Sequence, residues 1–307
     1  MESEKVMDWA ASRAEHKPAS SLRRGRDTME FIVKMVFLLC GFVAVGCVLF
    51  ICIYLIIAGL PAILEIGVTD FLFGTEWAGK QEKFGILPFI LTSVAGTAGA
   101  VLVGVPIGLM TAMFLAKVAP PKAAKVIRTA VELLAGIPSI VYGLVGMIVL
   151  VPAIQRTFEL ASGASLLAAI VVLAIMILPS IVNVAETSLR AVPKEYEEAS
   201  LALGATHIET VFRVSVPAAS SGIAAAVVLG IGRAIGEAMA IIMVAGNVAN
   251  MPGLFESVRF LTTAVASEMA YSSGLQRQAL FSIALVLFIF IMLINIALNT
   301  LLKRKKG

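Results

Sequence analysis

Pro193-Lys194-Glu195-Tyr196-Glu197-Glu198-Ala199-Ser200-Leu201-Ala202-Leu203-Gly204 is a polar island between two long apolar runs, and its reading decides the fold. Pro193 suits the first turn of a helix, where a missing N–H needs no partner. Glu195, Glu197 and Glu198 follow in that turn, where the positive end of the helix dipole favours acids. Gly204 can adopt the left-handed conformation that closes a helix. Thr206 and Glu209 have the spacing of a capping box, which predicts a second short helix from Thr206. Pro217 then precedes the next apolar run. A two-helix elbow this polar is excluded from hydrocarbon, so it stands at a membrane surface and is available to a partner.

The chain around it is strongly apolar. Of its 307 residues 59% are hydrophobic and 14% charged, and mean hydropathy is +0.97. These values lie outside the soluble range and inside that of polytopic membrane proteins. The net charge of +4 is small and is read by position, with no nucleic-acid signal. Cys40, Cys47 and Cys52 share one apolar run; Cys40 and Cys47 would lie about 10 Å apart along a helix, too far for a disulfide.

Six spans are predicted, at about 31–58, 86–116, 126–151, 165–188, 218–246 and 279–302, each long enough to cross a bilayer. Residues 1–30 read as a cytoplasmic tail and 31–307 as one transmembrane domain, with a coupling loop over 190–217. The first run is too long for a signal-peptide core and lacks a cleavage site, so it stays as a span. With the N-terminus inside, 18 of the 24 Lys and Arg residues fall on the inner side and 5 on the outer. That asymmetry places both termini, and the elbow, in the cytoplasm. In the outer loops, Phe71, Phe73, Trp77 and Phe84 read as an interfacial belt or a short surface helix, and residues 247–278 as a short helix flanked by turns. Pro138 and Pro179 lie inside spans and are expected to bend or break them. Gly96 with Gly99, Gly104 with Gly108, and Gly230 with Ala234 form small-residue faces for close helix packing.

Three acid–base pairs have helical spacing. Arg128 with Glu132, and Glu186 with Arg190, are expected to pair within one helix near the cytoplasmic surface, each worth a few tenths of a kcal/mol. Arg233 and Glu237 are different, because they lie near the middle of the span 218–246. Charge there costs at least about 2.5 kcal/mol, so both should face the bundle or an aqueous path. They read either as an internal salt bridge or as charged elements of a substrate route. A guanidinium binds oxyanion oxygens through a planar fork and stays charged at any working pH. Glu237 would partner Arg233 in the absence of substrate, and could accept a hydrogen bond from a ligand that bears a proton.

Glu198-Ala199-Ser200, Gly204 and Val214-Ser215-Val216-Pro217 resemble the EAA loop of ABC importer permeases, with Ser200 for Ala, Val214 for Ile and Val216 for Leu. Gly232-Arg233-Ala234-Ile235-Gly236-Glu237-Ala238-Met239-Ala240, Phe84-Gly85-Ile86-Leu87-Pro88-Phe89-Ile90 and Ala135-Gly136-Ile137-Pro138-Ser139-Ile140-Val141-Tyr142-Gly143-Leu144 resemble signatures of the PstC phosphate permease family. The match runs over roughly residues 70–300 and leaves the tail uncovered. The resemblance implies an all-α integral membrane protein with the type I ABC importer permease fold. It implies an inner-membrane subunit that moves phosphate by alternating access. The elbow residues Glu198, Ala199, Ser200, Gly204 and Pro217 would couple it to an ATPase, with Arg233 and Glu237 on the substrate path. Its partners would be a PstA-like permease, a PstB-like ATPase dimer, an extracytoplasmic PstS-like phosphate-binding protein and membrane lipid.

Other readings stay open: a permease for phosphonate, sulfate or molybdate, a proton-coupled carrier, or a purely structural subunit. No G-x-x-x-x-G-K-[ST] loop occurs, so ATP use is assigned to the separate subunit and no cofactor to this chain. His16 and His207 are too few and too distant for a metal site, and no catalytic residue is expected.

Overall fold

The computed structural model describes residues 20–304. The chain forms two units, 1–54 and 55–307. In the first, the described residues all belong to α1 (Ser20–Ile66). That helix starts inside the stretch read as tail, and residues 1–19 lie outside the described residues. The three cysteines are free thiols.

The second unit is helical apart from one small hairpin. After the end of α1 come α2 (Val68–Phe73), the strands β1 (Trp77–Ala78) and β2 (Lys83–Phe84), and α3 (Leu87–Met113). Next are α4 (Pro121–Gly136), α5 (Ser139–Val145), α6 (Val151–Thr157) and α7 (Leu166–Arg190). The elbow follows as α8 (Lys194–Ala202), α9 (His207–Thr210) and α10 (Val216–Ala218). The chain closes with α11 (Ser220–Gly236), α12 (Met239–Val244), α13 (Leu261–Glu268) and α14 (Gly274–Arg304). Wider π-helical turns continue α3 over Phe114–Val118, join α5 to α6 over Gly146–Leu150 and join α9 to α10 over Val211–Ser215.

Among the described residues five helical stretches are long and apolar enough to cross a membrane, or six if the bent pair His207–Ala218 and Ser220–Gly236 is one span. The third crossing differs from its expectation. Residues 126–151 are not one span, because the chain breaks at Ile137-Pro138, both extended, and the apolar stretch is Ser139–Thr157. Proline removes a helical hydrogen bond and disfavours helix in the residue before it. Pro179, by contrast, is carried inside an unbroken α7.

α7 is the axis of the unit. More than half of its most apolar window is buried (56%), against 28% for that of Leu87–Val118 and 17% for that of Ser139–Thr157. It packs on α3 and α11 through the small residues singled out above. A Cβ on Gly104 would lie 2.7 Å from Ile177, and one on Gly108 2.8 Å from Ile181. Gly230 of α11 approaches Ile181 in the same way at 2.9 Å. Backbones without Cβ let bulky Ile side chains of the central helix fill the gap, which is how helices adhere in a solvent as apolar as themselves.

The aromatic loop is not an interfacial belt. Phe71 and Phe84 are buried with Phe89, Leu261 and Leu280 in a second core, while Phe73 stays exposed. β1 and β2 pair antiparallel with Trp77 opposite Phe84, and the Trp77 ring meets both Phe84 and Phe89. Trp77 Nε1 donates to Glu268 (3.1 Å), which also accepts from Gln276 (3.0 Å) and pairs with Arg259. The predicted short helix within 247–278 is α13, and the Trp77–Glu268 hydrogen bond fastens its end to the hairpin.

Candidate functional site

Arg233 lies thirteen residues into α11, about 20 Å from its start at 1.5 Å per residue. Its residue is exposed, and among the described residues it makes no ion pair. It opens on a cleft of about 660 Å³ bounded by α7, α11 and α14.

The expected partnership with Glu237 is absent. α11 stops at Gly236, and Glu237 is extended (φ −74°, ψ 133°), so the two residues no longer share a helical face. The Glu237 carboxylate instead accepts the Ala240 N–H at 3.1 Å, at the start of α12, and its carbonyl accepts from Thr262 Oγ1 at 2.7 Å. Three glycines in the stretch 230–236 weaken helix locally, and a carboxylate can satisfy N–H groups freed at a break. These two properties suit the site to a chain break at membrane depth. Non-helical backbone at that depth is tolerated where it lines a cavity or is buried in protein.

The elbow takes its expected form. Pro193 precedes α8, Gly204 adopts φ 89°, and Thr206 and Glu209 form the reciprocal capping box. Hydrogen bonds from Thr206 hold the Glu209 carboxyl below its ordinary value. Ser200 is joined to buried Thr210 across the two helices at 3.0 Å. Its hydroxyl is what the Ser-for-Ala departure supplies. Pro217 sits in α10, just before a 74° bend into α11. Glu198 and Ala199 are exposed, and beside them Leu203 is 90% and Ile208 67% exposed. Clustered bare apolar side chains on a polar element mark an interaction surface.

One residue that the sequence presents only as a helix-start acid ties this elbow down. Glu197 forms an ion pair with Lys117, at the end of the α3 segment, and accepts from buried Ser215 at 2.8 Å. Burial pushes its carboxyl up, but these hydrogen bonds and the Lys117 charge outweigh that and hold it below the ordinary range. His207 Nε2 also meets the Lys117 carbonyl at 2.9 Å.

Of the two local ion pairs expected near this end, Glu186–Arg190 forms within its helix, and Arg128 joins it in one tertiary cluster. Arg128 reaches across to Glu186 at 2.5 Å instead of pairing with Glu132. Arg190 donates to the same carboxylate at 2.8 Å and to the Leu115 carbonyl at 2.7 Å. Glu186 is buried, and a buried carboxylate is stable when two cations and their hydrogen bonds surround it. Sequence spacing pointed to Glu132 only because both residues lie on α4.

The described residues thus combine a guanidinium without an ion pair on α11 with bare apolar side chains on a polar elbow. The chain belongs to the family described as binding-protein-dependent transport system inner membrane component, whose model matches residues 104–307. It is thus a multi-pass inner-membrane permease subunit of a transport system. It is 37% identical over 293 residues to the probable ABC transporter permease protein YqgH of Bacillus subtilis, covering 93% of this chain and 95% of that protein. It is 35% identical to the phosphate transport system permease protein PstC of Haemophilus influenzae (84% of this chain, 89% of that one). With PstC of Pasteurella multocida the identity is 34% (77% and 83%). Among solved structures, an inward-facing MetNI methionine ABC transporter matches with TM-score 0.58 at 23% identity, over 71% of this chain and 95% of that one. This likeness concerns the fold alone and agrees with the expected type I permease architecture.

Proposed function

We propose that this chain is one of two permease subunits of an ATP-driven importer for inorganic phosphate. Arg233 supplies the positive charge of the translocation path, and Glu237 holds the chain break beside it. The observation that carries this reading is the exposed, unpaired guanidinium on α11. A cation facing lipid is costly, so a second subunit closing over this cleft fits the reading, and the enclosed space suits an anion. Phosphate is the anion supported by the PstC names of the relatives. A planar guanidinium grips its oxygens in bidentate fashion.

The apolar face of the elbow, with Glu198, Ala199, Ser200, Gly204 and Pro217, suits docking to an ATPase subunit that binds and hydrolyses ATP. The present chain would carry no cofactor, metal or catalytic residue. The elbow and both termini would lie in the cytoplasm, as the Lys and Arg asymmetry favours. The other partners would be a PstA-like permease, a PstB-like ATPase dimer and an extracytoplasmic PstS-like binding protein. Closure of the ATPase dimer would move the elbow, and the 74° bend into α11 leads that motion towards Arg233. Coupling of this kind requires contacts that differ between two states, and the elbow offers them.

The test is labelled-phosphate uptake in cells lacking their own permease pair, supplied with this chain and its partner subunits. Wild type and Arg233→Gln are compared at equal membrane abundance, with excess sulfate present. Uptake that resists sulfate and is lost in the variant is the expected result. Uptake blocked by sulfate would reassign the substrate to another oxyanion, and unchanged uptake in the variant would remove Arg233 from the path.

A further inference from the structure

The cleft beside Arg233 has two further polar side chains, Ser180 on α7 and Asn295 on α14; the rest of its lining is small or apolar. Asn295 is the one polar residue between Ile283 and Leu298, within Ile-Met-Leu-Ile-Asn-Ile-Ala. Its side chain makes no hydrogen bond among the described residues. An amide at membrane depth without a partner is costly, and packing α14 against lipid calls for nothing but hydrocarbon there.

Ser180 is anomalous in the same sense. Thr187 and Ser188 on the same helix satisfy their hydroxyls by donating to the carbonyls four residues back, at 2.8 and 2.7 Å, the usual arrangement in a helix. The Ser180 hydroxyl makes no such bond. Two unsatisfied neutral groups on two different helices thus meet the same cleft as the unpaired guanidinium.

We infer that Ser180 and Asn295 are oxyanion-contacting residues of the transport path, and that Asn295 contributes to selection for a protonated oxyanion. The inference rests on the phosphate-permease reading. Arg233 supplies the attraction, while the Asn295 amide and the Ser180 hydroxyl donate to oxygens the guanidinium fork leaves free. Neutral donors add direction without the tight hold of a second charge, and a path must release what it binds. The Asn295 carbonyl can also accept the hydroxyl proton of hydrogen phosphate. That acceptor role was expected of Glu237, whose Oε1 is engaged with Ala240 N–H.

The experiment compares the maximal rate of labelled-phosphate uptake for wild type, Asn295→Leu, Asn295→Gln, Ser180→Ala and Arg233→Gln, each per assembled complex. Asn295→Leu is expected to lose at least tenfold and Ser180→Ala about threefold. Asn295→Gln should recover part of the rate, because it restores donor and acceptor in an altered position. Full uptake by both Asn295→Leu and Ser180→Ala, alongside loss in Arg233→Gln, would overturn this inference and leave the phosphate reading standing. Full uptake in all the variants would sink both. If Asn295→Leu fails to assemble, Ser180→Ala decides, and an undiminished rate there would make the pair structural.

Discussion

Lys117, in the turn that ends the α3 segment, and Glu197, on the elbow helix α8, form an ion pair whose side chains are only 10% and 18% exposed. Ser215 donates to the same carboxylate, and His207 meets the Lys117 carbonyl. The elbow therefore reaches the bundle through α3 as well as through its own covalent link to α11. A tie at that point is what the proposed coupling role of the elbow calls for.

Breaking this tie should uncouple before it unfolds. Lys117→Met or Glu197→Gln should each lower substrate transport per ATP hydrolysed by the assembled complex. In a double-mutant cycle the two losses should overlap by about 1–2 kcal/mol, between the values of exposed and fully buried pairs. Strictly additive losses would refute the pairing as the cause.

The same pair sets a pH dependence. The Glu197 carboxyl lies below its ordinary value of 4.5 in the folded chain. A depressed carboxyl contributes stability above the unfolded pKa, and that stability is lost as pH falls through the folded one. The attachment contributed by Glu197, read as protection factors of the α8 amides, should hold above pH 4.5 and weaken as the pH falls below it. Loosening on the alkaline side would contradict this.

Glu186 and Glu132 should behave oppositely. Glu186→Gln leaves Arg128 and Arg190 without their shared anion and should cost about 2 kcal/mol, the scale of hydrogen bonds to charged groups. Glu132→Gln should leave the thermal midpoint of the purified subunit unchanged. Equal effects would restore the local helical pairing.

Gly104→Val should damage assembly more than any exposed substitution on α3. Even a Cβ there meets Ile177 at 2.7 Å and the Ala174 carbonyl at 3.1 Å, so α3 must move from α7, at about 1–3 kcal/mol. Gly136→Ala, which meets nothing within 4 Å, is the control, and thermal midpoints of the two compare them.

Thr206→Ala removes the acceptor of the Glu209 N–H and should cost the short helix α9 about 1 kcal/mol. Greater protease sensitivity of the elbow is the expected readout. Unaltered digestion would mean that Ser200–Thr210 and the Lys117–Glu197 pair hold the elbow without its cap.

The membrane class, most of the spans and the form of the elbow are local properties, and they were legible in the chain. Apolar runs, Pro193, Gly204 and the Thr206–Glu209 spacing act over a few residues, where backbone preference and solvent settle the outcome. The small-residue faces were legible too, because close helix approach needs glycine whatever the partner. Asn295 left a signal as well: one amide in a long apolar run. What stayed hidden was every choice of partner made across the bundle. Arg128 takes Glu186 over Glu132, Glu197 takes Lys117, and Glu237 takes a backbone N–H in preference to Arg233. Spacing lists only neighbours along one helix, whereas a buried charge goes to whichever group the packing of α3, α7 and α11 brings within reach. Sequence thus determined what must cross the membrane and what must stay outside it. Tertiary structure alone decided which charges neutralise one another, and among the described residues it leaves Arg233 on α11 without an ion pair.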